Sequence, residues 1–106
     1  MYPQYKFFIT IGYSWSNERD FQDPGQFPEE PGVYRLKAGS EIVRIGESRN
    51  IAERLRENLK DYGSEIETFD FDIVPNKAER GEEQKQLLNS FKTAVGRLPK
   101  YNPITS

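Results

Sequence analysis

The sequence contains no cysteine and no histidine. Without cysteine there is neither a disulfide nor a thiolate metal site to staple the fold. Without histidine the commonest general base and the commonest metal ligand are both missing. Acid–base chemistry near neutral pH would fall to a carboxylate, a lysine, a tyrosine or a metal-bound water. No apolar run approaches the ~20 residues of a membrane span, and the N-terminus lacks a basic stretch followed by an apolar signal core. The expectation is a soluble cytoplasmic protein with no membrane partner. A strong overall field is also missing, since the formal net charge is −2. What remains is a chain of 106 residues, enough for one domain with a core that buries roughly 60–68% of the unfolded surface.

Charge is unevenly distributed along the chain. Residues 61–83 carry eight acidic and two basic side chains, whereas residues 44–60 carry five basic and three acidic. Residues 84–106 carry four basic and no acidic side chains. Such segregation permits a local phosphate-facing patch on an acidic protein.

Periodicity gives the elements. Tyr5–Tyr13 is rich in aromatic and β-branched residues and reads as a strand, and residues 14–30, with Asp23-Pro24-Gly25 and Pro28, as a loop or irregular extension. Gly32–Lys37 and Glu41–Ile45 flank Ala38-Gly39-Ser40 and read as a β-hairpin. Pairing Lys37 with Glu41 would set Tyr34 opposite Arg44 and Leu36 opposite Ile42 on one face, with Val33 and Ile45 turned to the core on the other. Asn50 with Glu53, then Ile51, Leu55 and Leu59, predicts a capped helix ending near Gly63. Residues 67–74 alternate Phe69, Phe71 and Ile73 with acidic residues, a half-buried strand pattern. Asn76 with Glu79 opens a second helix with a core stripe of Leu87, Leu88, Phe91 and Val95, closed by Gly96 and Pro99. The fold class expected is α+β: a small sheet with a central β-hairpin flanked by helices, plus an extra N-terminal strand. Residues 1–30 would be a strand-and-loop extension, and residues 31–106 the main domain.

The order Gly32-Val33-Tyr34, Arg44-Ile45-Gly46, Arg54 on a helix, a helical glutamate, and Pro99-Lys100-Tyr101-Asn102 resembles the GIY-YIG nuclease domain family. Each short motif alone is common, and the specificity lies in the series of spacings. The resemblance covers residues 31–102 and implies a metal-dependent endonuclease that hydrolyses phosphodiester bonds of nucleic acid, DNA being the first expectation, with little base specificity of its own. It implies that Tyr34 orients or deprotonates the attacking water, that Arg54 stabilises the scissile phosphate, and that Asn102 closes the site. It further implies a single Mg²⁺, replaceable by Mn²⁺, held by Glu83 or its neighbour Glu82. Arg44, Arg49, Arg54, Arg56 and Asn58 are the candidate nucleic-acid contacts.

Two positions depart from the family pattern. Asn58 stands where many members carry a histidine, and an amide cannot exchange a proton at neutral pH. Arg44 stands where the second motif has its tyrosine. A guanidinium there would favour the Tyr34 phenolate and add a phosphate contact. Equally, loss of that tyrosine would leave a catalytically impaired domain that binds nucleic acid or a protein partner.

Overall fold

The structure, a computed structural model, describes residues 14–103, and the expected strand Tyr5–Tyr13 lies outside the described residues. Four antiparallel strands form one sheet: β1 (Arg19–Asp20), β2 (Gly32–Ala38), β3 (Glu41–Ser48) and β4 (Thr68–Ile73), in the spatial order β1-β4-β2-β3. Helix α1 (Ile51–Tyr62) follows the hairpin, and α2 (Lys77–Val95) follows β4. The α+β class expected from the sequence is the class observed. Among the described residues no helix is long and apolar enough to cross a membrane.

The pleat sorts residues into two cores. Tyr34, Leu36, Phe69 and Phe71 point to one face, where Ile51, Ala52 and Leu55 of α1 meet them together with Phe21 and Phe27. Val33 and Ile45 point to the other face, where Leu87 of α2 and Val74 cover them. Phe21, Phe27 and Phe69 lie 5.3–6.3 Å apart by ring centroid, and the two edge-on pairs that Phe69 makes add about 0.5–1.5 kcal/mol each beyond their buried area. The segment before residue 31 therefore contributes core side chains, and it also supplies β1, which the sequence reading had placed inside a loop.

Both helices begin as their sequences specify. The Asn50 carboxamide oxygen accepts the Glu53 N–H at 3.2 Å, and Asn76 does the same for Glu79 at 2.9 Å. Gly96 ends α2 in the left-handed conformation at φ +90°, where a side chain would be strained. Val95, expected in the core stripe, is instead 50% exposed, because α2 runs past the sheet before Gly96 stops it. The half-buried reading of β4 also fails. Asp70 and Asp72 are as buried as the phenylalanines, since their face is covered as well. Asp70 tolerates this through a paired contact with Arg35 at 3.0 and 2.7 Å and a second cation, Lys37, at 3.3 Å.

The hairpin register differs from the expected one. Ala38 pairs with Glu41 around a two-residue turn whose first residue is Gly39, φ +64°, a conformation glycine takes without strain. Between Lys37–Ile42 and Leu36–Arg44 the register shifts, leaving Val43 as the extra residue of a bulge. Tyr34 consequently faces Gly46, not Arg44. Its ring lies across Gly46, where an added Cβ would stand 2.4 Å from Cζ and Oη.

The bulge has a second consequence. β3 is a sheet edge, and the bulged Val43 carbonyl accepts the Tyr101 N–H at 2.8 Å. The Asn102 carboxamide then pairs with Ile45 as a strand would: its oxygen accepts the Ile45 N–H at 2.9 Å and its nitrogen donates to the Ile45 carbonyl at 2.9 Å. The C-terminal segment thus covers an edge that would otherwise be open to pairing. Asn102→Ala should cost about 1–2 kcal/mol, the worth of two hydrogen bonds that water partly replaces. Urea denaturation would read this, and an unchanged midpoint would show that the edge is held by Tyr101 alone.

Candidate nucleic-acid interface

Tyr34 is 0% exposed, yet its hydroxyl reaches the rim of the α1-side core. It donates to Asn58 Oδ1 at 3.3 Å and lies 3.5 Å from Arg44 Nε. Arg44 reaches it diagonally across the hairpin, two residues along β3 from the facing Gly46. Burial pushes the Tyr34 pKa above that of a free phenol, and the hydrogen bond and positive charge of Arg44 offset this only in part. The phenol is therefore protonated at neutral pH. It can donate a hydrogen bond but is a poor base.

Arg44 is held in turn by the Tyr101 carbonyl, to which Nη1 donates at 2.6 Å. It lines a cleft of about 420 Å³ together with Gln84, Lys85, Leu88, Asn89, Lys92 and Asn102. Gln84 is positioned from α2 by a 3.3 Å hydrogen bond from Nε2 to the Ile45 carbonyl. This lining holds cations and amides and no carboxylate.

Arg54 sits on α1, on the same side of the sheet as Tyr34, with 43% of its side chain exposed and its Nε 3.3 Å from Glu57. It lines a different cleft with Arg49, Glu47, Glu53, Glu57, Lys77 and Arg80. Here three carboxylates offset most of the charge of four cations: Glu47 is bound by Arg80 at 3.0 Å, and Glu57 by Arg54 itself. Arg56 is turned to Glu29 at 3.1 Å and lines neither cleft. Asn58, offered by the sequence as a phosphate contact, is buried and engaged with Tyr34.

The two candidate metal ligands are elsewhere. Glu83 is 2% exposed on the opposite face of the sheet, against Asp72 of β4. Glu82 is exposed, accepts from Gln86 at 3.3 Å, and shares a cleft with Asp72, Glu79 and Glu83. β4 and β3 are separated by β2, which at the usual strand spacing puts them about 10 Å apart. Burial and the neighbouring Asp72 carboxyl raise the Glu83 pKa to about 8. Its Oε2 has no hydrogen-bond partner among the described residues. Tyr34, Arg44 and Arg54 thus lie on the α1 side of the sheet, and Glu82 and Glu83 on the α2 side. Among the described residues no three His, Cys, Asp or Glu side chains converge as a metal site. A divalent cation serving a phosphate beside Tyr34 and Arg54 does not fit the carboxylates present there.

Gln84, Lys85 and Lys92 were not singled out from the sequence. The signal was the acid-free run from residue 84 onward. What was missing was the knowledge that α2 and the C-terminal segment flank the same edge of the sheet as Arg44.

The architecture is that of a GIY-YIG nuclease domain: an antiparallel sheet carrying the Gly-Val-Tyr and Arg-Ile-Gly strands, an arginine-bearing helix next, and a Pro-x-Tyr-Asn segment at the end. The chain is similar to the N-terminal GIY-YIG endonuclease domain of UvrC from Thermotoga maritima bound to magnesium, at 28% identity and TM-score 0.58 over 74% of this chain and 89% of that one. A point mutant of the same domain, bound to its catalytic divalent cation, gives 27% identity and TM-score 0.60 over 74% and 88%. Another matches over 97% of this chain and 99% of its own, at 24% identity and TM-score 0.58. No protein-family model and no curated protein sequence matches the chain.

Proposed function

We propose that this GIY-YIG domain binds nucleic acid through its phosphodiester backbone and does not carry out metal-dependent hydrolysis. The observation that carries the reading is the separation of the parts. Arg44 and Arg54 flank the Tyr34 hydroxyl, while Glu83 lies behind the sheet paired with Asp72. Phosphate contacts need only accessible cations and donors. Hydrolysis needs, in addition, a group that activates water, and a buried, protonated Tyr34 is poorly suited to that task. Of the two accounts of Arg44, the impaired one is favoured. Its guanidinium does not bring the phenol below its ordinary pKa, so it serves better as a positively charged hydrogen-bond donor.

A second reading, a Mg²⁺- or Mn²⁺-dependent endonuclease acting on DNA, is favoured by the similarity to a domain whose catalytic divalent cation is present. Fluorescence anisotropy of a labelled DNA duplex, titrated from about 50 to 200 mM salt, tests the proposal. Each phosphate contact adds about 0.9 to the slope of log affinity against log salt, so a slope near 3–5 is expected. Arg54→Ala should lower that slope by about 1. No measurable binding at 50 mM salt would rule the proposal out.

A further inference from the structure

Among the described cations, most arginines are already spoken for by carboxylates: Arg35 by Asp70, Arg54 by Glu57, Arg56 by Glu29, Arg80 by Glu47 and Arg97 by Glu41. Arg44, Lys85 and Lys92 form no ion pair among the described residues, and all three line one cleft. Gln84 and Asn102, each tied to the Ile45 backbone, lie between them. The cleft continues past Lys92, Leu98 and Asn102 into a second one, where Arg97 is paired with Glu41 and Lys100 with Glu65, so the uncompensated charge is confined to the first. Like charges gathered without counter-charges repel one another, and the bound state relieves that repulsion when an anion enters. A phosphodiester suits the dimensions: a compact anion with two free oxygens, met by a half-buried guanidinium, two mobile ammonium groups and amide N–H donors.

We infer that the groove between α2 and the C-terminal segment is a metal-independent phosphate subsite, in which Arg44, Lys85 and Lys92 hold one backbone phosphate directly. The inference rests on the nucleic-acid reading above and adds a location to it, a cleft that Arg54 does not line. Gln84 is the position that makes the subsite metal-independent. It is the α2 residue hydrogen-bonded to β3 beside Arg44, and it offers a neutral amide where a carboxylate would attract a cation and repel the phosphate.

The test is duplex-binding anisotropy at about 100 mM salt, in EDTA and in Mg²⁺, for wild type, Lys85→Glu, Lys92→Glu, Gln84→Glu and Arg54→Ala. Each lysine reversal should weaken binding about tenfold or more and lower the salt slope by about 1 or more. Gln84→Glu should weaken binding in EDTA by a similar factor, and Mg²⁺ should restore part of it in that variant alone. Wild-type affinity should agree within about twofold with and without Mg²⁺, since direct phosphate contacts need no bridging ion. Circular dichroism of each variant confirms that the exposed lysines and Gln84 are dispensable for folding. If both lysine reversals bind as wild type does while Arg54→Ala loses affinity, the subsite is wrong and the nucleic-acid reading stands. Wild-type binding that appears only with Mg²⁺ overturns metal independence, and absence of binding in every condition overturns both.

Discussion

Gly46→Ala is expected to destabilise the domain by about 3 kcal/mol, at the upper end of what overpacking a core costs. The new methyl would stand 2.4 Å from both Cζ and Oη of Tyr34 and 2.8 Å from Cε2. The ring cannot swing away cheaply, because it is fully buried in the core beneath α1 with Leu36, Leu55 and Phe71 as companions. Tyr34→Phe should not rescue the variant, since two of the three close atoms belong to the ring. Urea denaturation of the single and double variants measures this. A loss under about 1 kcal/mol for Gly46→Ala would mean that the ring is free to leave Gly46, and the hydrogen bonds to Asn58 and Arg44 would lose their fixed anchor.

Glu83→Gln should flatten the dependence of stability on pH. The Glu83 pKa is raised from 4.5 to about 8, so the folded state holds a proton that the unfolded state releases near 4.5. The stability this proton contributes is complete below about pH 4.5 and is lost as pH rises through about 8. Wild type should therefore weaken steadily from about pH 5 to pH 9, by on the order of 3 kcal/mol after allowance for relaxation. Glutamine keeps a donor towards Asp72 and loses the titration, so the variant should match wild type near pH 5 and exceed it near pH 9. Thermal melts across that range decide. A wild-type melting temperature that rises from pH 5 to pH 9 would mean that Glu83 is ionised in the folded protein, and its reading as a buried, protonated acid would fail.

Much of the architecture was legible because local rules and global packing agree here. Asn50 and Asn76 cap the helices that their downstream periodicity announces, and Gly96 stops α2 by the conformation that glycine permits. The motif order led to the fold. The register did not follow: the two-residue turn that pairs Ala38 with Glu41 moves it by one residue and the bulge at Val43, which apolar alternation does not reveal, by another, so Tyr34 sits two residues along β3 from expectation. The burial of β4 on both faces was hidden for a related reason. Asp70 and Asp72 look like solvent-facing residues until Arg35 and Glu83, distant in sequence, are placed against them.

The candidate site was legible in its phenol and arginines and not in its carboxylate. Glu83 and Gln84 are adjacent in sequence, but on a helix neighbours point about 100° apart. One faces Asp72 behind the sheet, and the other faces Ile45 and Arg44 at its edge. Four-residue spacing puts Glu83 on the face of α2 that carries Leu87, which is the buried face, but spacing does not say which strand lies beneath.

Single-turnover incubation of saturating wild-type protein with labelled linear and branched DNA, in Mg²⁺ and in Mn²⁺, addresses the central claim most directly. The separation of Glu83 from Arg44 and Arg54 predicts substrate that is bound and remains intact in both metals. Strand scission that requires the added metal and disappears in Arg54→Ala would contradict it and establish the domain as a working endonuclease.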